Sequence, residues 1–185
     1  MANPYNVVVI VGSLRKESFT LKIANALARL APESVKLNVT TLHDISFFNQ
    51  DLEASPPADW VAFREKLQKS NGVLFVTPEY NRSISGVLKN AIDVGSRPYG
   101  KSAWEGKPAA VVSVSPGAMG AFGANHQLRQ SLVFLDMPAL QQPEVYIGGA
   151  GKMFDADGKL TNADTRGFLS KFLTAFVAWI DAVKG

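Results

Sequence analysis

Four side chains suited to binding an anion fall within eight residues near the start of the chain: Ser13, Arg15, Ser18 and Thr20. The three hydroxyl groups offer hydrogen-bond donors, and the arginine guanidinium presents a fixed fork of donors that matches phosphate oxygens. The alternative is that Ser18 or Thr20 only caps a helix and Arg15 is solvated, but a cap accounts for one hydroxyl only. The spacing therefore favours a phosphate-binding turn.

The segments on either side of these residues indicate how they are positioned. Residues 7–11 are five consecutive β-branched residues, which predicts a strand buried on both faces. Gly12 then allows a sharp turn, and residues 21–30 have the composition and period of a helix. The helix N-terminus adds free N–H groups and a partial positive charge. Because the turn matches neither the P-loop nor the dinucleotide-binding glycine pattern, we expect a terminal monophosphate.

The composition limits the class of protein. With 185 residues, of which 46% are hydrophobic, the chain is predicted to form one domain over residues 1–185. It lacks a signal-peptide pattern and any apolar run long enough to span a membrane, so we expect a cytoplasmic location. Without cysteine there is no thiol nucleophile, and two distant histidines do not suggest a metal site. The dispersed net charge of +3 does not indicate nucleic-acid binding.

Strands and helices are predicted to alternate along the whole chain. The predicted strands are residues 7–11, 35–40, 73–76, 109–114 and 144–147, and the later helices are 59–69, 83–94, 128–135 and 164–183. We expect Asp59 to cap the second helix. This alternation implies an α/β fold with a doubly wound, five-stranded parallel sheet of order 2-1-3-4-5 and helices on both faces.

Three loops would then lie side by side at the carboxyl edge of the sheet, where ligands bind in such folds. Besides the phosphate turn, they are residues 77–86 and residues 115–123. Pro78 and Pro116 stiffen these loops, while glycines let the backbone approach a flat ligand closely. Well-formed turns without a ligand are the alternative, which the convergence of three polar loops disfavours.

Four segments resemble the NAD(P)H-dependent FMN reductase family, and within it the bacterial chromate and quinone reductases. They are Gly12-Ser13-Leu14-Arg15-Lys16-x-Ser18-Phe19, Pro78-Glu79-Tyr80-Asn81-x-Ser83, residues 86–93 and Ser96-Arg97-Pro98. Residues 128–130 and 135–136 extend the likeness over nearly the whole chain. The resemblance implies a flavodoxin-like fold, bound FMN, and NADPH or NADH as the co-substrate.

The resemblance also implies which residues contact FMN. The phosphate contacts would be Ser13, Arg15, Ser18 and Thr20. The isoalloxazine ring would be lined, largely through backbone groups, by Pro78, Glu79, Tyr80, Asn81 and Arg82. Ser115 and Gly117 would close the ribityl and ring side. Three positions depart from relatives, since Thr20 stands where asparagine is usual, Glu17 where many have glycine, and Arg82 where tyrosine is frequent.

The implied activity is two-electron transfer from NADPH or NADH to a small-molecule acceptor in a ping-pong cycle. The chemistry would belong to the flavin, so no side-chain acid or base is predicted. Backbone N–H groups of residues 81–82 and 115–117 are the expected donors to the reduced ring. Quinones are the expected acceptors, with chromate, other metal oxyanions, azo compounds and free flavin as further candidates. Arg82 would attract an anionic acceptor, contact the NADPH phosphate, or simply pair with a carboxylate.

A homodimer or homotetramer is a further implication of the resemblance. Residues 96–104 contain aromatic residues near the predicted site and are interpreted as either a partner surface or a lid. Arg129 and Glu144 are candidates for an ion pair between subunits, or for ordinary roles within one chain.

Two other functions stay open at this stage. The first is a flavodoxin-like FMN electron carrier acting on a protein partner, although such carriers are usually acidic and this chain has a pI near 9.2. The second is a nucleotide-binding regulatory module without redox chemistry. No membrane-spanning segment and no metal enter any of these hypotheses.

Overall fold

Five strands and five α-helices alternate along residues 3–184, the part of the chain that the computed structural model describes. The strands are β1 (Tyr5–Val11), β2 (Val35–Thr40), β3 (Gly72–Thr77), β4 (Ala109–Val114) and β5 (Val145–Ile147). The helices are α1 (Phe19–Leu30), α2 (Ala58–Gln68), α3 (Gly86–Ser96), α4 (Phe122–Phe134) and α5 (Ala163–Lys184). Short 3₁₀ turns occur at Gln50–Leu52 and Ala150–Lys152.

The strands form one parallel sheet of order β2-β1-β3-β4-β5, which confirms the predicted topology. Strand β1 lies between β2 and β3, so that Val9 pairs with Val39 on one side and with Leu74 on the other. All strands point the same way, and the loops that follow β1, β3 and β4 therefore meet at one edge.

Each face of the sheet carries its own hydrophobic core because side chains alternate along a strand. Val7, Val9 and Val11 pack with residues of α1 and α5 on one face. Val8 and Ile10 pack with residues of α2, α3 and α4 on the other. Helices thus cover both faces, and no helix of the described residues has the length and apolar character to cross a bilayer.

Two predicted helix starts are wrong, and each error has a tertiary cause. Helix α2 begins at Ala58 without a side-chain cap, because the Asp59 carboxylate instead accepts hydrogen bonds from the backbone N–H and the hydroxyl of Ser46, both at 2.7 Å. Helix α3 begins at Gly86 rather than residue 83, because Ser85 is its N-cap and accepts from the N–H of Leu88 at 3.3 Å.

The prediction for α4 covered only its second half. Helix α4 starts six residues earlier than the predicted residue 128, at Phe122. Along α5, Phe172, Phe176 and Ile180 are buried in the core, whereas Phe168 remains partly exposed.

The segment 96–104, interpreted as a partner surface or lid, contains a core residue. Trp104 is fully buried, donates its indole N–H to the carbonyl of Ile92 at 3.0 Å, and lies between the rings of Phe63 and Phe75. A Cβ on Gly95 would lie 2.5 Å from Cε2 and 2.7 Å from Cζ2 of this indole. Glycine at position 95 is therefore needed for the close approach of Trp104 to α3.

We predict opposite effects for the same substitution at two helical glycines. Gly95→Ala should lower the free energy of unfolding by about 1–3 kcal/mol, because the new methyl group overpacks the core against Trp104. Gly167→Ala, where a Cβ would meet no atom within 4 Å, should raise it by about 0.5–1 kcal/mol through helix propensity. Urea denaturation of both variants measures the difference, and equal effects would contradict the role assigned to Gly95.

Candidate functional site

The phosphate turn connects β1 to α1 and is tied to β3. The N–H of Gly12 donates to the carbonyl of Val76 at 2.9 Å. A Cβ on Gly12 would lie 3.0 Å from Cδ of Pro78, tighter than most real contacts, and Gly12 is not among the residues with positive φ. The glycine is therefore required for close approach to the 77–86 loop, and not for an unusual backbone angle as the sequence suggested.

The hydroxyl groups of the turn are clustered and buried. Ser18 is the N-cap of α1 and accepts from the N–H of Leu21 at 3.2 Å, while the Thr20 hydroxyl donates to the Ser18 hydroxyl at 3.2 Å. Ser13, Ser18 and Thr20 are all buried, and Arg15 is exposed above them. Ser18 thus caps the helix and belongs to the hydroxyl cluster at once, so the two interpretations of this residue are compatible.

A small cleft of about 80 Å³ lies where the phosphate turn meets the loops after β3 and β4. Eight of the eleven predicted contacts line it: Ser13, Arg15, Ser18, Thr20, Pro78, Glu79, Tyr80 and Ser115. Asn81, Arg82 and Gly117 do not line it. Phe19, Val114 and Pro116 also line the cleft, although none of them was among the predicted contacts.

The loop after β3 contains a tight hairpin turn centred on Asn81 and Arg82. Tyr80 and Ser83 exchange two backbone hydrogen bonds, at 2.9 and 3.0 Å. The φ angles of Asn81 (53°) and Arg82 (64°) are both positive, as a type I′ turn requires. Asparagine tolerates this conformation, whereas arginine is uncommon there, and such outliers cluster at functional sites.

Glu79 fixes this turn to helix α4. Its side chain is only 12% exposed, and one carboxylate oxygen accepts from the N–H of Ala124 at 3.0 Å. Since α4 has no side-chain cap of its own, Glu79 satisfies an N–H of its first turn from a separate loop. The other oxygen pairs with Arg82 at 3.2 Å, where the arginine side chain is 83% exposed. Such an exposed pair is weak, so the guanidinium is available to a ligand.

The loop after β4 departs from our prediction about backbone donors. The N–H of Gly117 donates to the Ser115 hydroxyl at 2.9 Å, and the N–H of Ser115 donates to the carbonyl of Ile147 at 2.9 Å. Because both groups are engaged within the protein, the expectation that they donate to a flavin ring is wrong for this structure. The serine forms a local turn that a sequence pattern does not distinguish from a free loop.

A second, larger cleft of about 400 Å³ adjoins the first. Its walls are Ser13, Leu14, Arg15, Phe47, Tyr80, Ser85, Gly86 and Val87, of which Ser13, Arg15 and Tyr80 also line the smaller cleft. Ser85 was missed as a site residue because the predicted helix began before it. Its hydroxyl donates to the carbonyl of Gly12 at 2.6 Å and so ties the start of α3 to the phosphate turn.

The remaining titratable candidates have roles within the protein. Among the described residues, no group of three or more histidine or carboxylate side chains is placed to hold a metal ion. His126 Nε2 lies 3.0 Å from the Tyr146 hydroxyl. Burial and the nearby Glu144 carboxylate raise the pKa of Tyr146 to about 12. Arg129 is held within the chain, since its guanidinium donates to the Asn125 side chain and the Leu140 carbonyl, both at 3.0 Å.

Comparison with known proteins gives consistent matches over most of the chain. The profile of the family described as NADPH-dependent FMN reductase matches residues 5–152. A quinone reductase from Pseudomonas putida is 60% identical over 181 residues, covering 97% of each chain. A 2-hydroxy-1,4-benzoquinone reductase from Burkholderia sp is 41% identical over 174 residues, covering 94% of this chain and 95% of the relative.

A solved structure also matches over nearly the whole chain. The flavoenzyme NAD(P)H:(acceptor) oxidoreductase FerB from Paracoccus denitrificans superimposes with a TM-score of 0.88 at 41% identity. The match covers 96% of this chain and 98% of that chain. The family resemblance seen in the sequence is thereby confirmed, and the chain belongs to the NADPH-dependent FMN reductase family.

Proposed function

We propose that this chain is an FMN-dependent oxidoreductase that transfers two electrons from NADPH or NADH to a quinone. The observation that carries the proposal is the cleft where the buried hydroxyls and Arg15, at the start of α1, meet the loops after β3 and β4. The names of relatives that match nearly end to end point the same way, because they include quinone reductases and a flavoenzyme.

The residues of the cleft fit the FMN phosphate. Three buried hydroxyl groups, of Ser13, Ser18 and Thr20, surround the first turn of α1, where N–H groups have no partner within the helix. Arg15 adds an exposed positive charge at the same wall. A dianionic group would complete the hydrogen bonding of the hydroxyls and neutralise this charge. We assign Ser13, Arg15, Ser18 and Thr20 to the phosphate.

The isoalloxazine ring would lie against the loop after β3. Pro78 and Tyr80 line the cleft, and Glu79 holds the Asn81–Arg82 turn against α4. With the N–H groups of Ser115 and Gly117 engaged, those of Asn81 and Arg82 are the remaining proposed donors to the ring. Such donors stabilise the negative charge of a reduced flavin. Ser115 and Gly117 would serve as a wall on the ribityl side.

Bound FMN would supply the redox chemistry, a two-electron transfer from NAD(P)H to the acceptor, and the residues of the two clefts would hold and orient it. With one proton from solvent, the overall balance is NAD(P)H + H⁺ + quinone → NAD(P)⁺ + hydroquinone. We propose a ping-pong order, in which NAD(P)H and the acceptor use the same site in turn. Chromate, other metal oxyanions, azo compounds and free flavin are proposed as secondary acceptors.

We further propose that the single domain of residues 1–185 acts in the cytoplasm as a homodimer or homotetramer. Helix α4 and the loop before it leave four large apolar side chains exposed: Met119, Phe122, Val133 and Phe134. An exposed apolar stripe of this kind suits contact with a second protein surface. The mobile-carrier alternative, with a protein as electron acceptor, is less favoured by the pI near 9.2.

The first experiment is the visible absorption spectrum of the purified protein. We expect a yellow protein whose flavin absorbance bleaches on anaerobic addition of NADPH and recovers on addition of a quinone. A yellow protein that NADPH does not bleach would favour the carrier. A colourless protein that FMN cannot reconstitute would overturn the cofactor assignment and the mechanism with it.

Arg15→Ala should weaken FMN binding by about 10- to 150-fold, because it removes charge-assisted hydrogen bonds worth roughly 1.5–3 kcal/mol. The measurement is quenching of FMN fluorescence on titration of the apoprotein. Arg29→Ala is the matched control, because it removes the same charge at the other, exposed end of α1. Equal affinity in the two variants would remove Arg15 from the site.

Arg82→Ala should leave FMN affinity unchanged while it raises the KM for NADPH or for chromate by about 3- to 10-fold, since it removes an exposed cation beside the cleft. NADH and a neutral quinone should behave as with the wild type. Arg82→Lys keeps the charge and should retain most of the effect. If all four substrates give wild-type kinetics with Arg82→Ala, the arginine only pairs with Glu79.

A further inference from the structure

Phe47 stands at the mouth of the larger cleft and is 79% exposed. Leu14, Tyr80 and Val87 form an apolar wall of the same cleft. Tyr80 also lines the smaller cleft assigned to FMN. Exposing a phenylalanine ring to water is unfavourable, because its apolar surface must be hydrated. Phe47 is exposed beside the site at which the acceptor would bind.

The chain on either side of Phe47 is firmly anchored. Before it, the N–H and hydroxyl of Ser46 donate to Asp59, and the Ser46 carbonyl accepts from the indole N–H of Trp60 at 3.1 Å. After it, the N–H of Phe48 donates to the side chain of Asn90 at 2.8 Å. The hydrogen bonds from Ser46 outweigh partial burial and hold the pKa of Asp59 below its usual value, so the carboxylate stays charged near neutral pH.

The neighbouring phenylalanine behaves in the opposite way. Phe48 stacks on Trp60 with ring centroids 5.5 Å apart and packs on the core beneath α2 and α3. A loop held this tightly partly buries the Phe48 ring and leaves the Phe47 ring exposed beside the cleft, and the geometry is fixed by groups from two different helices. Exposure of Phe47 is therefore built into the fold and is not a consequence of a loose loop.

We propose that Phe47 is a specificity-determining residue that packs against the hydrophobic substituent of the acceptor quinone. This inference rests on the proposed function, because the quinone ring must lie over the flavin for its substituent to reach the larger cleft. Phe47, Leu14 and Val87 would then shield an alkyl chain that leaves the smaller cleft past Tyr80. Quinones with long apolar substituents are the substrate class that this arrangement selects.

The test compares two acceptors on the FMN-loaded enzyme. They are p-benzoquinone and decyl-p-benzoquinone, which share a redox ring and differ in the alkyl chain. The variants are Phe47→Ala, Phe47→Leu and the control Phe168→Ala, which removes an equally large side chain that is 37% exposed on α5 and lines neither cleft. Calorimetric binding of each quinone to the oxidised holoenzyme accompanies the steady-state kinetics, so that the result does not depend on turnover alone.

Phe47→Ala should raise the KM and the dissociation constant for decyl-p-benzoquinone by about tenfold, the change expected for losing on the order of 60 Å² of apolar contact. The values for p-benzoquinone, the KM for NADPH and the FMN affinity should stay within twofold of the wild type. Phe47→Leu should give a smaller loss, and Phe168→Ala none.

Three results would overturn the inference while leaving the proposed function intact. The first is that Phe47→Ala changes the two quinones equally or changes neither. The second is that it raises only the KM for NADPH. The third is that it lowers the oligomeric mass in solution where Phe168→Ala does not. The first two results would place the substituent elsewhere, and the third would make Phe47 a contact between subunits. Failure of the wild-type protein to bind FMN or to oxidise NADPH would instead overturn the proposed function, and the inference with it.

Discussion

The candidate site depends on the close approach of two loops that lie far apart in the sequence, the turn after β1 and the loop after β3. Gly12 can lie against Pro78 only because it lacks a side chain, and the Ser85 hydroxyl closes the same contact through the Gly12 carbonyl. This one contact fixes the positions of the end of β1, the loop after β3 and the start of α3 relative to one another. The two clefts share walls because of it, so a phosphate contact and a ring contact are set at a fixed distance from each other.

A second constraint comes from polar groups that serve elements far away in the chain. The Glu79 carboxylate binds an N–H at the start of α4, and Asp59 and Asn90 hold the loop around Phe47. Each of these polar groups belongs to one element and positions another. The surfaces around the clefts are consequently ordered by hydrogen bonds from α2, α3 and α4, while the hydrophobic cores on the two faces of the sheet keep those helices in place.

The sequence predicted local and periodic features well, but it did not predict which polar groups form hydrogen bonds with each other across the fold. The bounds of β2 and β4 and the sheet order follow from hydrophobic runs and their alternation with helices, which are properties of neighbouring residues. Asp59 has the side chain of a helix cap, yet its partner Ser46 lies thirteen residues earlier in a loop. The engaged N–H groups of Ser115 and Gly117 likewise depend on β5 and on a local turn. Such pairings are decided by tertiary structure, which a pattern does not contain.

The order of the strands has a consequence for how the protein is made. Strand β1, the first along the chain, becomes an inner strand of the sheet between β2 and β3, and its Val7, Val9 and Val11 face is covered partly by α5. Until residues 163–184 are synthesised, this face lacks Phe172 and Phe176. The core on this face of β1 therefore stays incomplete until these residues have been synthesised, so it depends on contacts between distant parts of the chain.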